Sequence, residues 1–308
     1  MANKVLVTGG AGFIGTHLCR ALIQSGRSVR VLDLKDPVQA VQGVDYQKGD
    51  VRDAQAVKKA VQGVDAVYHL AAIASVPLCQ EQPYESTQTN LASTALIMEN
   101  LKPGTRFVFA GSSAVYGDSG KEGESLGENR SIENLASFYA AQKFGSETLI
   151  QQFQKSHGIP SVVFRFFNVF GPGQDPKSPY TGVITAFSEA IKAGRPLRLN
   201  GGGVQTRDFI SVHDVVRGLI LAIEAPVSAC DAQPINLGTG QSVTIRKLAE
   251  TMKAVSNSQV SLEDAPWREG DVRHSTAKIG RAFEKLGWKP SISLEKGLKE
   301  LLNPAITP

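Results

Sequence analysis

The sequence is poor in the features that mark secreted, metal-binding and membrane proteins. Its three cysteines, Cys19, Cys79 and Cys230, lie far apart, so neither a disulfide framework nor a structural zinc site is expected, and a reducing compartment fits. No apolar run approaches the ~18 residues of a membrane span, and the chain enters an apolar segment at Lys4 without a signal-peptide pattern. We therefore expect a cytoplasmic protein without a membrane segment or a metal site.

The sequence also lacks a strong excess of positive or negative charge. The net charge is only +4, and the 33 Lys and Arg residues are scattered along the chain, which argues against a nucleic-acid partner. Hydrophobic residues make up 42% and charged residues 20% of the 308 residues, as in ordinary globular proteins. The length exceeds the ~100–200 residues of a common domain, so one large domain or two lobes are both possible.

Strand-like and helix-like segments alternate in the first half of the chain. This pattern predicts an α/β fold with a parallel sheet covered by helices on both faces, a Rossmann-type doubly wound sheet. After residue 166 the pattern changes, and a turn-rich stretch at 171–179 indicates the boundary of a second lobe. The predicted strands cover residues 4–8, 28–34, 66–70, 106–110 and 161–166.

A glycine-rich turn follows the first predicted strand. Gly10, Gly12 and Gly15 have the spacing of a dinucleotide-binding loop, and Gly9 offers a second reading of the same motif. Glycine lets the backbone turn sharply and approach a pyrophosphate closely. Asp33 closes the next strand, where a carboxylate accepts ribose hydroxyls and repels a 2′-phosphate, so NAD is favoured over NADP. The alternative is an ordinary glycine turn followed by a strand-end aspartate.

A candidate catalytic pair lies on a long predicted helix, residues 138–157, with Ser137 as its N-cap. Tyr139 and Lys143 are four residues apart and share one helix face. A free tyrosine has a pKa near ~10, and we expect the ammonium of Lys143 to lower the pKa of Tyr139. The same spacing occurs by chance on many surface helices. Ser112 and Ser113 follow the strand at 106–110, and a serine hydroxyl from this pair would complete a set for proton and hydride transfer beside a nicotinamide.

Taken together, these segments resemble the extended short-chain dehydrogenases/reductases. The resemblance covers essentially the whole chain and is closest to the nucleotide-sugar 4-epimerases, above all the bacterial UDP-N-acetylglucosamine 4-epimerases. It implies an NAD-binding Rossmann domain at 1–166 with a return segment near 207–237, and a smaller α/β nucleotide-sugar-binding lobe at 167–308. The segments that carry it are 8–15, Asp33, Asp50, 69–72, 112–117, 139–143, 165–171, 207–210 and 268–275.

The resemblance also implies roles for individual residues and a homodimer formed through first-lobe helices. The implied catalytic residues are Ser112, Tyr139 and Lys143. The implied cofactor contacts are Gly9, Gly12, Phe13, Ile14, Gly15, Asp33, Asp50, Val51, Leu70, Ala71, Ala72, Tyr139, Lys143 and Phe166. The implied substrate contacts are Ser112, Ser113, Tyr139, Asn168, Val183, Leu199, Arg207, Arg268, Asp271 and Ser275. Asp50 matches an adenine-binding aspartate, with a turn-capping role as its alternative.

The activity implied is interconversion of UDP-N-acetylglucosamine and UDP-N-acetylgalactosamine through a transient 4-keto sugar and tightly bound NAD, with UDP-glucose and UDP-galactose as further candidate substrates. Ser275 stands where epimerases limited to non-acetylated hexoses have a tyrosine. Ser113 and Ala114 replace the acid pair of 4,6-dehydratases, which disfavours dehydration. The alternatives are a UDP-glucuronate 4-epimerase, to which Thr181 could contribute, a net dehydrogenase or reductase, and a non-catalytic NAD-binding sensor.

Overall fold

A computed structural model describes residues 3–118, 120–174, 182–268 and 270–302. Within these residues, seven parallel strands form the central sheet in the spatial order β11-β6-β5-β4-β1-β2-β3. These strands are β1 (Lys4–Thr8), β2 (Ser28–Asp33), β3 (Val44–Lys48), β4 (Ala66–His69), β5 (Arg106–Ser112), β6 (Ser161–Phe166) and, after four shorter strands, β11 (Asp231–Leu237). The predicted doubly wound Rossmann-type sheet is confirmed.

Helices cover both faces of this sheet. In β1, Val5 and Val7 face one hydrophobic core and Leu6 faces the other, because successive side chains of a strand point to opposite sides. The first core is closed by α1, α8 and α10, and the second by α2, α5 and α6. The helices are α1 (Phe13–Gln24), α2 (Ala54–Ala60), α3 (Val76–Glu81), α4 (Pro83–Thr87), α5 (Ser93–Glu99), α6 (Phe138–His157), α7 (Val183–Lys192), α8 (Val212–Glu224), α9 (Ile245–Ser256), α10 (Gly280–Leu286) and α11 (Leu294–Leu302).

The strand order reverses at β1, which lies between β2 and β4. In a sheet of this kind, ligands bind in the crevice beyond the carboxyl ends of the strands at the reversal. Thr8 ends β1 and His69 ends β4, so the glycine-rich turn and residues 70–72 lie at that crevice.

The second lobe is built from short strands that pair across long stretches of sequence. They are β7 (Asn168–Phe170), β8 (Leu197–Asn200), β9 (Thr206–Arg207), β10 (Phe209–Ser211), β12 (Val243–Thr244), β13 (Leu262–Ala265) and β14 (His274–Ser275). β7 pairs with β10, β8 pairs with β13, and β9 lies between β12 and β14. The core of this lobe includes Phe187, Leu248 and Leu298 from α7, α9 and α11.

The chain returns to the central sheet after entering the second lobe. α8 packs into the first core, and β11 pairs with β6. The domain limits 1–166 and 167–308 themselves stay a prediction. None of the helices among the described residues is both long enough and apolar enough to cross a lipid bilayer.

Two parts of the first lobe differ from the prediction. The strand β3 was not predicted; it forms the edge of the sheet, carries Asp45 and Lys48, and is only half-buried. The sequence of residues 90–100 alone fits one short helix, but the structure has a longer helical region in which a π-helical turn at Gln88–Ala92 connects α4 to α5. The strand β3 was not predicted because an edge strand lacks the continuous apolar run that identifies a strand buried on both faces.

Candidate active site

The loop between β1 and α1 turns sharply at Gly9, whose φ is +72°. A Cβ atom at Gly9 would lie 2.7 Å from the Ala71 nitrogen, and one at Gly15 would lie 2.3 Å from the Gly9 carbonyl oxygen. Both positions need glycine so that β1, α1 and the segment after β4 can meet. Gly12 differs: its backbone is extended, and the one described atom near its would-be Cβ is the Gly9 carbonyl oxygen at 3.3 Å. The packing therefore leaves open space beside Gly12.

The N-terminus of α1 is open to that space. Gly12 is the N-cap residue, no described side chain caps the helix, and its first turn, from Phe13 through Ile14 to Gly15, carries no acidic residue. The first N–H groups of a helix have no partner within the helix and carry partial positive charge. A small residue beside free N–H groups fits the pyrophosphate of a dinucleotide, as predicted for this segment.

Asp33 is held next to this turn. One carboxylate oxygen accepts a hydrogen bond from the Ala11 nitrogen at 3.0 Å, and the other accepts from the Lys35 nitrogen at 3.0 Å. Each oxygen keeps acceptor capacity beyond these backbone bonds. The carboxylate therefore stands at the end of β2, in the right place to accept the hydroxyls of a ribose.

Asp50 has partners within its own turn. Its carboxylate accepts from the Arg52 nitrogen at 2.8 Å and forms an ion pair with the Arg52 guanidinium at 2.7 Å, and this hydrogen bonding lowers the pKa of Asp50. Arg52 also pairs with Glu85. The turn-capping alternative is thus seen in the structure, and the adenine contact stays a prediction. Val51 is buried in the second core, so only its main chain is available to a cofactor.

The remaining predicted cofactor residues border the same edge of the sheet. The Leu70 nitrogen donates to the Thr8 carbonyl oxygen at 3.1 Å, and the Ala71 nitrogen donates to the Thr8 hydroxyl at 3.3 Å. Ala72 follows directly. Phe166 ends β6 and is buried in the first core. The structure therefore brings the predicted cofactor contacts together along the carboxyl ends of β1, β2, β4 and β6.

The helix α6, which carries the predicted catalytic pair Tyr139 and Lys143, begins and ends where the sequence predicts. The Ser137 side chain caps it by accepting from the Ala140 nitrogen at 3.2 Å, and Gly158 ends it with a φ of 65°. Lys143 is almost fully buried, and its ammonium donates to the Ala110 carbonyl oxygen at 2.8 Å. The ammonium lies 5.9 Å from the centre of the Tyr139 ring, which places the two side chains side by side.

The electrostatics of this pair differ from the sequence-based expectation. Burial raises the pKa of Tyr139 to about 12, and hydrogen bonding with Ser112 opposes the rise. Burial lowers the pKa of Lys143 to about 8. The expected lowering of the Tyr139 pKa by the ammonium is therefore wrong for the protein without a cofactor, because the cost of burying a phenolate is larger. A further positive charge at the site would favour the phenolate.

Ser112 lies between β5 and the catalytic helix. It ends β5, its side chain accepts from the Ala114 nitrogen at 3.2 Å, and it interacts with the Tyr139 phenol. Ser113 starts the short 3₁₀ turn that follows. Of the two serines, Ser112 is the one whose hydrogen bonding lowers the pKa of Tyr139, and its catalytic role stays a prediction.

Sequence reasoning missed a buried polar contact one turn beyond Lys143. Glu147 and Arg165 form an ion pair at 2.7 Å, with side chains only 2% and 3% exposed. The signal was present in the sequence, since Glu147 follows Lys143 by the same four residues that separate Lys143 from Tyr139. Charged side chains at such a spacing are usually assigned to a solvated helix face.

The second lobe gathers four of the predicted substrate residues. Ser275 lies opposite Arg207 in the pairing of β14 with β9, and Arg207 forms an ion pair with Asp271. The Asn168 side chain and main chain both donate to the Asp208 carbonyl oxygen, at 3.3 and 3.0 Å. These residues come from separate short strands and one loop, yet they meet near the end of β6.

Three other predicted substrate residues have different surroundings. Arg268 is exposed at a turn in which its carbonyl oxygen accepts from the Asp271 nitrogen at 3.1 Å. Val183 begins α7 and is half-buried. Leu199 is fully buried in the core of the second lobe, so a substrate contact through its side chain is not available in this structure. Thr181 lies outside the described residues.

Comparison with known proteins identifies the family. The model of the NAD dependent epimerase/dehydratase family matches residues 5–238. The chain belongs to this family. NAD is accordingly its cofactor, and the prediction of an NAD-dependent enzyme of the nucleotide-sugar epimerase type is confirmed at the level of the family.

Solved structures of similar proteins match this chain over nearly its whole length. The UDP-glucose 4-epimerase of Thermotoga maritima, solved with UDP-glucose, is 32% identical with a TM-score of 0.90, and the match covers 97% of each chain. The UDP-N-acetylglucosamine 4-epimerase of Methanobrevibacter ruminantium, solved with UDP-N-acetylmuramic acid, is 35% identical with a TM-score of 0.87, covering 99% of this chain and 98% of that one.

Curated relatives include other activities on UDP-sugars. A UDP-glucuronate 4-epimerase of Thermodesulfobacterium geofontis is 29% identical over 97% of this chain and 94% of its own length. A UDP-glucuronic acid decarboxylase of Arabidopsis thaliana is 32% identical over 96% of this chain and 86% of its own length. These similar proteins differ in the UDP-sugar that they are named for and in whether they are epimerases or decarboxylases.

Proposed function

We propose that the protein is a UDP-sugar 4-epimerase that interconverts UDP-N-acetylglucosamine and UDP-N-acetylgalactosamine, with UDP-glucose and UDP-galactose as further substrates. The observation that carries this proposal is the meeting of Ser112, Tyr139 and Lys143 at the carboxyl edge of the sheet. That edge also holds the glycine-rich turn and Asp33, so a proton-transfer group and a dinucleotide site adjoin each other.

The residues of the chain account for the proton in such a reaction. Tyr139 takes the proton of the sugar 4-hydroxyl, and Ser112 holds the 4-oxygen by a hydrogen bond. Lys143 stabilises the phenolate by its charge. NAD, which the glycine-rich turn at 9–15 and Asp33 would hold, would supply reversible hydride acceptance at C4 of the sugar. Tyr139 then returns the proton to the 4-oxygen, so the reaction has no net oxidation.

The second lobe supports a nucleotide diphosphate as the rest of the substrate. Arg207 is mostly buried and already paired with Asp271, so its guanidinium is held in place before a phosphate arrives. Ser275 lies opposite Arg207 in the pairing of β14 with β9, and we infer that a side chain this small would admit a 2-acetamido group. A small residue at this position supports N-acetylhexosamines as substrates without excluding plain hexoses.

A UDP-glucuronate 4-epimerase is the second candidate, favoured by the similarity to the relative from Thermodesulfobacterium geofontis. A 4-keto glucuronate is a β-keto acid, which can lose carbon dioxide, so a decarboxylase is a chemically related outcome. Product analysis separates these possibilities, because an epimer keeps the carboxylate and a decarboxylated product is a UDP-pentose.

The test is to incubate the purified holoenzyme with each UDP-sugar, without added NAD, and to separate the products. UDP-N-acetylglucosamine, UDP-N-acetylgalactosamine, UDP-glucose and UDP-glucuronate are the four substrates. We expect epimers of the N-acetylated pair at the highest rate, and none with Tyr139→Phe. Epimer formation from UDP-glucuronate alone would favour the second candidate. Stoichiometric NADH on addition of NAD would indicate a net dehydrogenase, and a fully functional Tyr139→Phe protein would point to a sensor.

A further inference from the structure

Three side chains on one face of α6 meet three consecutive residues of β5. Tyr139 interacts with Ser112, and the Lys143 ammonium donates to the Ala110 carbonyl oxygen. Glu147, one turn further on, lies against Gly111, where a Cβ atom would come within 3.2 Å of its Oε1 and within 2.3 Å of the Phe164 carbonyl oxygen. The end of β5 therefore sets the position of α6 through all three turns, and Glu147 provides the last contact.

The guanidinium of Arg165, on the neighbouring strand β6, donates hydrogen bonds to both oxygens of the Glu147 carboxylate. Its Nε donates to Oε1 at 3.0 Å and to Oε2 at 3.2 Å, and its Nη2 donates to Oε2 at 2.7 Å. Burying an ion pair seldom adds stability compared with apolar residues of similar volume, because both charges lose water. A pair this deeply buried on the catalytic helix therefore calls for a role in geometry or charge.

The contacts continue from Arg165 towards the second lobe. Its Nη1 donates to the Tyr116 hydroxyl at 3.0 Å, and that hydroxyl donates to the Asn236 side-chain oxygen at 2.8 Å. The Asn236 side-chain nitrogen then donates to the Leu126 carbonyl oxygen at 2.8 Å and the Lys278 carbonyl oxygen at 3.2 Å. Lys278 follows Ser275 by three residues, so the network reaches the segment proposed to select the sugar.

We propose that Glu147 and Arg165 are positioning residues of the catalytic helix, which fix Tyr139 and Lys143 against Ser112 and supply the negative charge that balances the buried ammonium of Lys143. The proposal deepens the proposed function and rests on it for its kinetic readout. Neither residue has a role in the proton transfer itself. Removing the carboxylate should therefore change the working pH range of the site as well as the stability of the fold.

The charged and titratable groups around Lys143 define the direction of that change. They are Tyr139 and Glu147 on α6, Cys79 on α3 and His69 on β4. Burial and the Lys143 charge lower the pKa of His69 to about 3, so this imidazole is neutral. Burial lowers the pKa of Lys143 to about 8, while Glu147 acts to raise it. Without the Glu147 charge the pKa of Lys143 falls further, so activity that needs the ammonium is lost at lower pH.

The experiment compares Glu147→Gln with a matched control, Asp214→Asn. Asp214 is also a fully buried carboxylate, but it lies on α8 and anchors the Ser291 and Ile292 nitrogens at about 3 Å, away from α6. Melting temperature should fall in both variants. Only Glu147→Gln should shift the alkaline limb of the kcat profile of the holoenzyme, by about one unit to lower pH. An unmoved limb, or an equal shift in Asp214→Asn, would overturn the proposal.

A substrate-free measurement separates this proposal from the proposed function. The NMR chemical shift of the Lys143 side chain, assigned by comparison with Lys143→Met, follows the ammonium alone. Glu147→Gln should lower the pKa of Lys143 below about 8, because the negative charge that acts to raise this pKa has been removed. If Glu147→Gln gives this result while the wild type shows no epimerase activity, only the proposed function is wrong. If the titration is the same in Glu147→Gln and in the wild type, the positioning role is wrong.

Two further variants keep the test decisive. If Glu147→Gln does not fold, Glu147→Gln with Arg165→Met removes both charges and should fold. It should shift the limb in the same direction but by less, because loss of the Arg165 charge offsets part of the loss of the Glu147 charge. Glu147→Asp keeps the charge on a shorter side chain, so it should lower kcat while leaving the alkaline limb in place. A limb that moves equally in Glu147→Asp would contradict the assigned role of the charge.

Discussion

The cofactor edge and the second lobe differ in how their functional residues reach the site. At the cofactor edge, the turn at 9–15 joins a strand directly to a helix, and Asp33 ends the adjacent strand. In the second lobe, Arg207, Asp271 and Ser275 meet only because β9 pairs with β14 and an ion pair closes the loop between them. Local geometry sets the first site, and long-range pairing sets the second.

The two regions also differ in how they hold charge before a ligand binds. The N-terminus of α1 is open and Asp33 accepts only backbone N–H groups, so this site is ready for a phosphate and a ribose. Arg207 already has a carboxylate partner, which a phosphate must displace or share. The cofactor site should therefore bind its ligand without breaking an ion pair, whereas Arg207 must share or exchange its carboxylate partner when a phosphate binds.

The largest expected effect comes from the catalytic face that adjoins the cofactor edge. Tyr139→Phe removes the group that moves the proton, so kcat should fall by at least about 10²–10⁴-fold. The ring remains, and bound NAD and the melting temperature should stay near those of the wild type. Product separation from the purified holoenzyme gives the rate. Activity within a few-fold of wild type would remove the phenol from the mechanism.

The glycine loop offers a paired test at the cofactor edge. Gly15→Ala places a Cβ 2.3 Å from the Gly9 carbonyl oxygen, so it should destabilise the fold by about 1–3 kcal/mol and also weaken NAD binding. Gly12→Ala places its Cβ mainly in open space, so it should fold nearly normally and still lose NAD. Melting temperature and the NAD released on denaturation measure the two effects. An equal loss of stability in both variants would contradict the open space beside Gly12.

Much of the cofactor edge could be predicted because a short stretch of sequence carries the whole arrangement. The caps Ser137 and Gly158 bounded α6 correctly, since capping depends on a few neighbouring residues. The prediction failed where a quantity depends on the surrounding fold. The pKa of Tyr139 is raised by burial, and burial cannot be derived from the four-residue spacing to Lys143.

The second lobe could be predicted only in outline. Leu199 shows why: its strand β8 pairs with β13, more than sixty residues later, and that pairing turns its side chain into the core. The Glu147–Arg165 contact was missed for a related reason, because it joins a helix to a strand whose register the sequence does not reveal. The family resemblance predicted Arg207 and Asp271 as substrate contacts, but it could not predict the ion pair between them, which depends on the folded chain.

The two arginines of the second lobe should differ in their effect on nucleotide binding. Arg207 is held by Asp271, whereas Arg268 is exposed at a turn. Arg207→Met should raise the Kd for UDP about 10–100-fold, the loss of a charge-assisted hydrogen bond or two. Arg268→Met should raise it up to about fivefold. Calorimetric titration with UDP measures both, and equal effects would mean that Arg268 moves onto the nucleotide when it binds.

The smallest effect is a change of preference, expected at Ser275. Ser275 is 8% exposed and lies beside Arg207, so a tyrosine there would occupy the space assigned to the 2-acetamido group. Ser275→Tyr should lower kcat/KM for UDP-N-acetylglucosamine relative to UDP-glucose by about tenfold or more, because one group of this size decides discrimination of that order. The ratio cancels any general loss of stability, since both substrates meet the same protein.

The control for this change is Ser275→Ala, which removes the hydroxyl and keeps the space. If the small size of Ser275 is what admits the acetamido group, the ratio of kcat/KM values should stay within about threefold of wild type in Ser275→Ala, because loss of one neutral hydrogen bond typically costs about 0.5–1.5 kcal/mol and both substrates bear that loss. A ratio that falls equally in both variants would assign the preference to the hydroxyl. If the ratio of kcat/KM values changes in neither Ser275→Tyr nor Ser275→Ala, the sugar binds away from β14. Residues on α6, and not those of the second lobe, would then have to select the sugar.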